Sequence, residues 1–575
     1  MPQINRADNG RISLLILISY LAIFMHIYLP DMGGSGLALP QNIIAWIVIT
    51  FFILAVCLHI LHYRQLVVSP LLLWAIVALV LMLLPWLWTS SSLWRQHALA
   101  RMAGLTGALL FLMALVQIPV TARRRRLLLL AILLSGLAET LLGTIQVYFP
   151  RLAFQLMEFH SASPYGIFQQ RNLYGSFLAT GCGVALWLAL TTSSHVKRGL
   201  YLLSLFPLSA LLLLTQSRIA ATGACCMLLL TGLAEYKHAL RSRRAFCGRL
   251  LFLFTLGLWL TGVSLYGMPN RKEPDFAHTG STHQRIVIIK GALALIEKHP
   301  VRGSGLGSFE SLFPQALQEK GLHSQESKTI THPHNEWLYT EAEGGIVALV
   351  GLLLLSGLWL WPVYRCFRQG ALHEAESGKV APWLLPLMSL PVGLHLMTEY
   401  PLYQSVPHLM VLLLLFRLGL PETDLQQYLR PLKNQQLWLA RGVMLPGVAL
   451  GTAILAVLAA GLITQYQLTR MERMLLQQQA VKLPEPGWQT LAESERLDYD
   501  WHIATLMQLN QQQMSPDTEE FVRWGHRWLA VHNDIAVSAA LMDIAAWHGN
   551  WLEVERLRRQ ARRVFVSEPE FSPQK

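Results

Sequence analysis

The stretch TITHPHNEWLYTEAEGG, Thr329 to Gly345, runs without a break into IVALVGLLLLSGLWL, Ile346 to Leu360. A polar segment with two histidines that leads straight into a long uncharged run is a chain passing from water into a bilayer. The rest of the sequence agrees: of 575 residues, 53% are hydrophobic and only 14% charged, and the mean hydropathy is +0.39. No water-soluble fold could bury so much apolar surface. Apolar runs recur about thirteen times if each needs roughly 17 to 25 residues. They cover 12–29, 43–61, 67–88, 102–120, 127–149, 173–193, 199–215, 219–234, 250–268, 337–363, 381–397, 405–420 and 442–463. The expected fold is an all-α polytopic membrane protein with about 13 transmembrane helices, a large outer loop and a small soluble helical C-terminal domain.

The formal net charge is +12, but the basic residues gather in short loops such as Arg123 to Arg126 and Arg241, Arg243 and Arg244. That pattern reports topology and contact with anionic lipid, and excludes nucleic acid as the partner. With the N-terminus in the cytoplasm, Arg64, Arg123 to Arg126, Lys197 with Arg198, the 237–249 loop, Arg365 with Arg368, and Arg430 with Lys433 fall on one side. The long 266–335 loop and the segment after Gln465 then face the opposite side, the periplasm of a bacterium. The first run is longer than a signal-peptide core and reads as a retained helix. Five of the six cysteines lie in or beside apolar runs, so no disulfide framework is indicated. The division expected is 1–150 and 151–268 for the first two groups of helices, 269–336 for the outer loop, 337–465 for the last spans and 466–575 for the soluble part.

Within the outer loop a helix is expected over 282–298, opened by Ser281 with Gln284 at capping-box spacing, which puts Arg285 in an anion-favouring first turn. Gly303-Ser304-Gly305-Leu306-Gly307 follows no strand and reads as a flexible connector rather than a phosphate loop. Beyond Tyr466, segments such as MERMLLQQQ and EEFVRWGHRWLAV are amphipathic at helical spacing, without a clear repeat. Asp498-Tyr499-Asp500 has the look of a metal-holding carboxylate pair but lies among ordinary surface residues.

Topology brings the remaining polar residues to one face. Gln169, Gln170, Arg171 and Asn172 precede the sixth span, Arg218 sits at a tight hairpin tip, Arg285 and His334 belong to the large loop, and His395 with Glu399 lies where the eleventh span emerges. Singly, each has an ordinary explanation as a helix cap or a snorkelling charge. Together, two guanidinium forks, an imidazole and several amides are what a diphosphate-binding acyl-, phosphoryl- or glycosyl-transfer site requires. No nucleotide-binding fingerprint is present, so the activated substrate must arrive in the membrane, and a lipid-pyrophosphate-linked sugar fits. Such a donor carries a good leaving group, and the site need only position an acceptor hydroxyl and remove its proton, work that one histidine can do. A transporter would instead gather its polar residues near mid-membrane, where only Glu139 and His26 lie. Glu139 is left without a role.

Several separated motifs also carry a family resemblance. His334-Asn335-Glu336-Trp337-Leu338 with Glu343-Gly344-Gly345, Gly166 with Gln170 and Asn172, Ser217-Arg218, and Arg285 followed by the glycine-rich 303–309 segment resemble the hallmarks of the bacterial O-antigen ligase and polymerase superfamily. HLMTEYPL, His395 to Leu402, and the C-terminal extension look most like the PglL-type protein O-oligosaccharyltransferases. The resemblance implies transfer of a glycan from undecaprenyl pyrophosphate to Ser or Thr of pilin-like proteins, at the outer face of the inner membrane, without cofactor or metal. It implies His334 as base, Arg218 and Arg285 on the pyrophosphate, and Gln170, Asn172, Asn335, His332 and Glu399 shaping the site. A ligase acting on lipid A core, or a glycan polymerase, would share the donor and differ in the acceptor. His332, His278, His283 and His323 leave a zinc site conceivable, though a His-x-His pair lacking a third ligand is weak ground for one.

Overall fold

A computed structural model of the chain describes residues 10–159, 161, 163–236, 279–322, 329–369, 382–477, 479, 481, 483–512 and 518–572. Among these residues the fold is all-α apart from one short ribbon. In lipid each backbone polar group must be bonded within its own segment, and helices do this. The first group comprises α1 (Arg11–Ala22), α2 (Pro40–Tyr63), α3 (Pro70–Leu83), α4 (Ser92–His97), α5 (Leu99–Gln117), α6 (Ala122–Tyr148) and α7 (Pro150–Met157). Next come α8 (Arg171–Thr191), α9 (His195–Leu214), α10 (Arg218–Tyr236), α11 (Thr279–Lys298), α12 (Phe309–Glu319) and α13 (Glu336–Gln369). The chain continues through α14 (Leu390–His395), α15 (Pro401–Gln404), α16 (Val406–Gly419), α17 (Glu422–Gln426) and α18 (Asn434–Leu476). It ends in α19 (Ser494–Gln512), α20 (Thr518–Leu529), α21 (Ile535–Trp547) and α22 (Trp551–Val564).

Helix starts follow local chemistry. Ser69 accepts from Leu71 N ahead of Pro70 in α3, Thr121 accepts from Arg124 N in α6, and Ser194 accepts from Lys197 N in α9. Helix α8 lies at the centre, with nearly all its residues buried between α6, α9, α10 and α14. Its small residues permit this: Gly181 faces Gly136 and Leu208, and Gly183 faces Met227 and Met388. Helix α18, by contrast, runs along the rim as 43 residues, roughly 64 Å, and touches α2 where Gly451 meets Leu54.

At one end of the bundle β1 (Gln65–Val67) pairs antiparallel with β2 (Leu429–Pro431), Leu66 opposite Arg430. Basic residues collect there: Arg125 donates to Leu418 O, Arg198 to Thr192 O, and Arg365 pairs with Asp424. Buried Arg417 donates to Leu115 O at 3.0 Å and Ile118 O at 2.7 Å and pairs with Glu422. The 165–172, 215–218, 329–336 and 396–405 segments all lie at the other end.

Among the described residues, eight helices are long and apolar enough to cross a membrane, with shorter apolar helices at Arg11–His26, Arg218–Thr231 and Val406–Gly419. The expected span at 250–268 lies outside the described residues. The one expected at 381–397 is corrected: it consists of two 3-10 turns and the six-residue α14. Pro382, Pro386 and Pro391 each remove a helical N–H there, so no continuous helix can form. MERMLLQQQ is no separate segment either; the last span simply continues, and the boundary expected after residue 465 falls inside α18.

Helix α13 contains one break, at Gly345, with φ 63° and ψ −167°. A Cβ there would lie 2.3 Å from Val301 O and 2.6 Å from Gly303 N. A Gly345→Ala variant is therefore expected to lose about 1–3 kcal/mol from backbone strain alone. Thermal unfolding in detergent measures this.

Candidate active site

The site is built around the start of α13. Asn335 Oδ1 accepts from Trp337 N at 3.0 Å and Leu338 N at 3.1 Å, capping the helix, while its Nδ2 donates to Met397 O at 3.1 Å. Glu336 N donates to Leu396 O at 3.0 Å. The 332–336 and 396–400 segments are thereby stitched together, and the residues of HPHN and of HLMTEYPL face one another.

The two histidines do different things. His332 is buried, its Nδ1 accepts the N–H of His334 at 2.9 Å, and its Nε2 lies 3.3 Å from Glu336. Its ring is held between Tyr339 and Tyr400, with centroids 4.4 and 4.5 Å away. Both of its nitrogens are thus engaged, and His332 and His334 offer no free pair of metal ligands. His334 has φ 54°, a left-handed conformation uncommon outside glycine, and its Nδ1 is buried without a partner. Neither of its ring nitrogens meets a hydrogen-bond partner among the described residues. Gln169 (φ 56°) and Gln216 (φ 54°) share this backbone state beside Gln170 and Arg218. Such strain persists where surrounding structure enforces it, and here it marks three of the sequence motifs.

Glu399 is the hub. It accepts from Gln170 Nε2, from Asn172 Nδ2 at 2.6 Å and from His395 Nε2 at 3.1 Å, and pairs with Arg285 at 3.2 Å. Burial pushes its carboxyl upward, but the bond and charge of His395, then Asn172 and Arg285, outweigh it and hold the group at about 2. Against an ordinary value of 4.5, the stabilisation from this cluster is complete above that pH and is lost as pH falls toward 2. His395 continues the network to Ser176 at 3.3 Å, which in turn meets His408 at 3.3 Å. The Arg285 side chain remains 39% exposed, leaving guanidinium donors open to an anion. Burial lowers the His334 pKa, as do the charges of His332 and Arg285, while Glu399 opposes them. An imidazole so placed is neutral and able to accept a proton at neutral pH.

Two α6 side chains hold the loop that presents Gln170. Gln146 Oε1 accepts from Tyr165 N and Gly166 N, both at 2.9 Å, and its Nε2 donates to Gly166 O at 2.8 Å. Glu139 Oε2 accepts from Ile167 N at 3.1 Å, while its other oxygen meets His26 Nδ1 at 2.7 Å. Gly166 has φ 57°, and a Cβ there would lie 2.1 Å from Glu139 Oε2. Only glycine satisfies both demands. The acid with no role in the sequence is therefore a brace for the site loop. Glu139→Ala leaves the Ile167 N–H and His26 Nδ1 unpaired, and is expected to cost about 1–3 kcal/mol. Limited proteolysis of the 158–170 segment reads this directly.

The glycine-rich 303–309 segment is corrected from flexible connector to packed dock. Ser304 N donates to Ala342 O and Gly305 N to Glu343 O, both at 2.9 Å, so the loop fills the break in α13. Glu343 Oε1 accepts from Phe309 N at 3.0 Å, and Arg101 reaches its other oxygen at 2.7 Å while lying over Tyr339 at 4.5 Å. Arg285 is also corrected: α11 is already helical from Thr279, so this residue is not in a first turn and owes its place to Glu399 instead. Asp498 and Asp500 serve different partners. The first accepts from Trp524 at 2.7 Å, and the second, pushed to about 8 by burial and by Glu472, lies in another cluster.

The structure thus brings His334, Arg285, Gln170, Asn172 and Glu399 together, with Asn335 and His332 behind them. Arg218, exposed at the start of α10, belongs to the same end of the bundle: Gly175, one turn beyond Asn172, touches Ser217 and Ala220. Reading the sequence missed Arg101, Gln146 and Tyr403, whose hydroxyl donates to Glu336 at 2.9 Å. Arg101 alone left a signal, a charge at the edge of an apolar run.

The described fold is that of a multi-pass helical membrane protein. Three family descriptions match the chain: O-antigen ligase over residues 203–353, virulence factor membrane-bound polymerase, C-terminal, over 383–575, and protein glycosylation ligase over 164–189. No curated protein matches it. Together these three matches support a PglL-type member of the O-antigen ligase superfamily.

Proposed function

We propose that this protein transfers a preassembled glycan from undecaprenyl pyrophosphate to Ser or Thr hydroxyls of periplasmic, pilin-like proteins. A neutral His334 removes the acceptor proton, the acceptor oxygen bonds to the anomeric carbon, and the bond from that carbon to the pyrophosphate oxygen breaks. Arg285 and Arg218 take up the charge that develops on the departing lipid pyrophosphate. Gln170 and Asn172 orient Glu399, which holds Arg285. Catalysis is then positioning plus one proton transfer, the latter worth about 10²–10⁴-fold.

The observation that carries this reading is His334, strained, without a ring hydrogen-bond partner among the described residues, and in the electrostatic reach of Arg285 and Glu399. In the proposed orientation the N-terminus lies in the bacterial cytoplasm, and the site and the 466–575 helices face the periplasm. The basic residues gathered at the opposite end support this.

The polymerase match over 383–575 favours a second reading in which the acceptor is another glycan, and a lipid A core acceptor is the third. Expression in cells that make a lipid-linked glycan, with a pilin-type protein and a lipid A core both present, separates them. Mass gained by the protein supports the proposal; mass gained only by core lipid, or chain growth on the carrier alone, overturns it.

A further inference from the structure

Away from the site, the C-terminal helices meet the membrane bundle at a cluster the proposed chemistry does not use. His97 closes α4, Glu495 opens α19, and His532 lies in the turn between α20 and α21. His97 Nδ1 is 3.2 Å and His532 Nε2 is 2.8 Å from the same Glu495 oxygen, and the three ligand atoms lie within 4.8 Å of one another. The two rings stand edge to face with centroids 4.9 Å apart.

The other nitrogen of His532 is fixed by a carboxylate. Nδ1 lies 3.1 Å from Glu310 Oε2, an atom that only accepts, so Nδ1 carries the proton and Nε2 is the nitrogen turned toward Glu495. Glu310 is itself held, accepting from Asn533 N at 2.8 Å while Asn533 Nδ2 donates to Glu310 O at 2.6 Å. A carboxylate behind a histidine whose far nitrogen faces a second histidine and a second carboxylate is the outer and inner arrangement of a metal site. The neighbouring contacts are rigid: Trp94 Nε1 donates to Ala530 O at 3.0 Å, and Thr329 Oγ1 donates to Asn533 O at 2.6 Å.

We propose that His97 Nδ1, His532 Nε2 and the Glu495 carboxylate bind a late first-row divalent cation, with solvent completing the shell, and that the ion clamps the C-terminal helices onto the bundle beside the His334 segment. Two imidazoles and one carboxylate suit zinc and its neighbours. Glu495 is exposed, which gives the ion a way in. A protonated imidazole has no lone pair for a metal, so binding strengthens as pH rises. Thr329 lies five residues before His334, so the clamp bears on how the catalytic segment is held. The proposal does not depend on what the enzyme glycosylates.

The test uses the full chain in detergent, purified on a histidine-free tag, stripped with chelator and titrated with zinc. About one zinc per chain is expected, with affinity reduced at least about 10-fold in His97→Ala and in Glu495→Ala, and about 10–100-fold in Glu310→Gln. Cobalt in place of zinc should give visible absorption bands that His97→Ala abolishes. Monodispersity of His97→Ala and Glu495→Ala, both surface changes, shows that any loss is not misfolding. No zinc bound by the wild-type chain, or equal zinc affinity in wild type and both of these variants, overturns the proposal.

Discussion

A His334→Ala variant should insert and fold as the wild type does and lose glycan transfer by about 10²–10⁴-fold, the contribution of a positioned general base. Folding survives because the ring makes no hydrogen bond that the change would break, and the strained backbone is held by the N–H to His332 rather than by the side chain. The pH profile follows from the same geometry. Burial lowers the His334 pKa below its ordinary 6.5, so the base is neutral at pH 7 and the rate should fall only as pH drops below that ordinary value. Mass spectrometry of acceptor protein across a pH series, with variant and wild type at equal membrane levels, measures both effects. Full activity in the variant would remove His334 from the mechanism. His332→Ala should instead lower thermal stability together with activity, since it frees the His334 N–H and one Glu336 carboxylate oxygen.

The second large effect is expected at Glu399. Its replacement by alanine leaves buried His395 and half-buried Gln170 and Asn172 facing an empty carboxylate position and releases Arg285. Breaking a buried pair by removing one partner costs about 3–5 kcal/mol, and the partial exposure of Arg285 places this case at the lower end. Glu399→Gln keeps the volume but not the charge. It should fold, require more lipid-linked donor because Arg285 is no longer aimed, and move the acid limb of the pH profile lower, since Glu399 is the charge that raises the His334 pKa. A donor titration at two pH values separates these effects, and unchanged donor dependence in Glu399→Gln would argue against the pyrophosphate role of Arg285.

Most of the site was legible as a set of residues, far less as an arrangement. His334, Arg218, Arg285, Gln170 and Asn172 stand out because polar side chains at the edges of apolar runs need a reason. In the sequence Glu399 is one site-shaping residue among several, and nothing in HLMTEYPL tells that Gln170 and Asn172 from one segment, Arg285 from another and nearby His395 converge on it. Glu139 reads in the sequence as an intramembrane acid without purpose, because its bond from Ile167 N spans 28 residues. Arg285 does not stand in the first turn that its sequence predicts, because its helix starts upstream of Ser281.

Hydrophobic length and charge asymmetry are properties of consecutive residues, so the sequence by itself determined a polytopic helical membrane protein with its polar motifs near one face. Which histidine is free, why residues 303–309 are rigid, and where the C-terminal helices attach depend on bonds between residues tens to hundreds of positions apart. His334 N to His332, Gly305 N to Glu343 O, and Trp94 to Ala530 leave no trace in any local pattern, and the tertiary structure alone decided them.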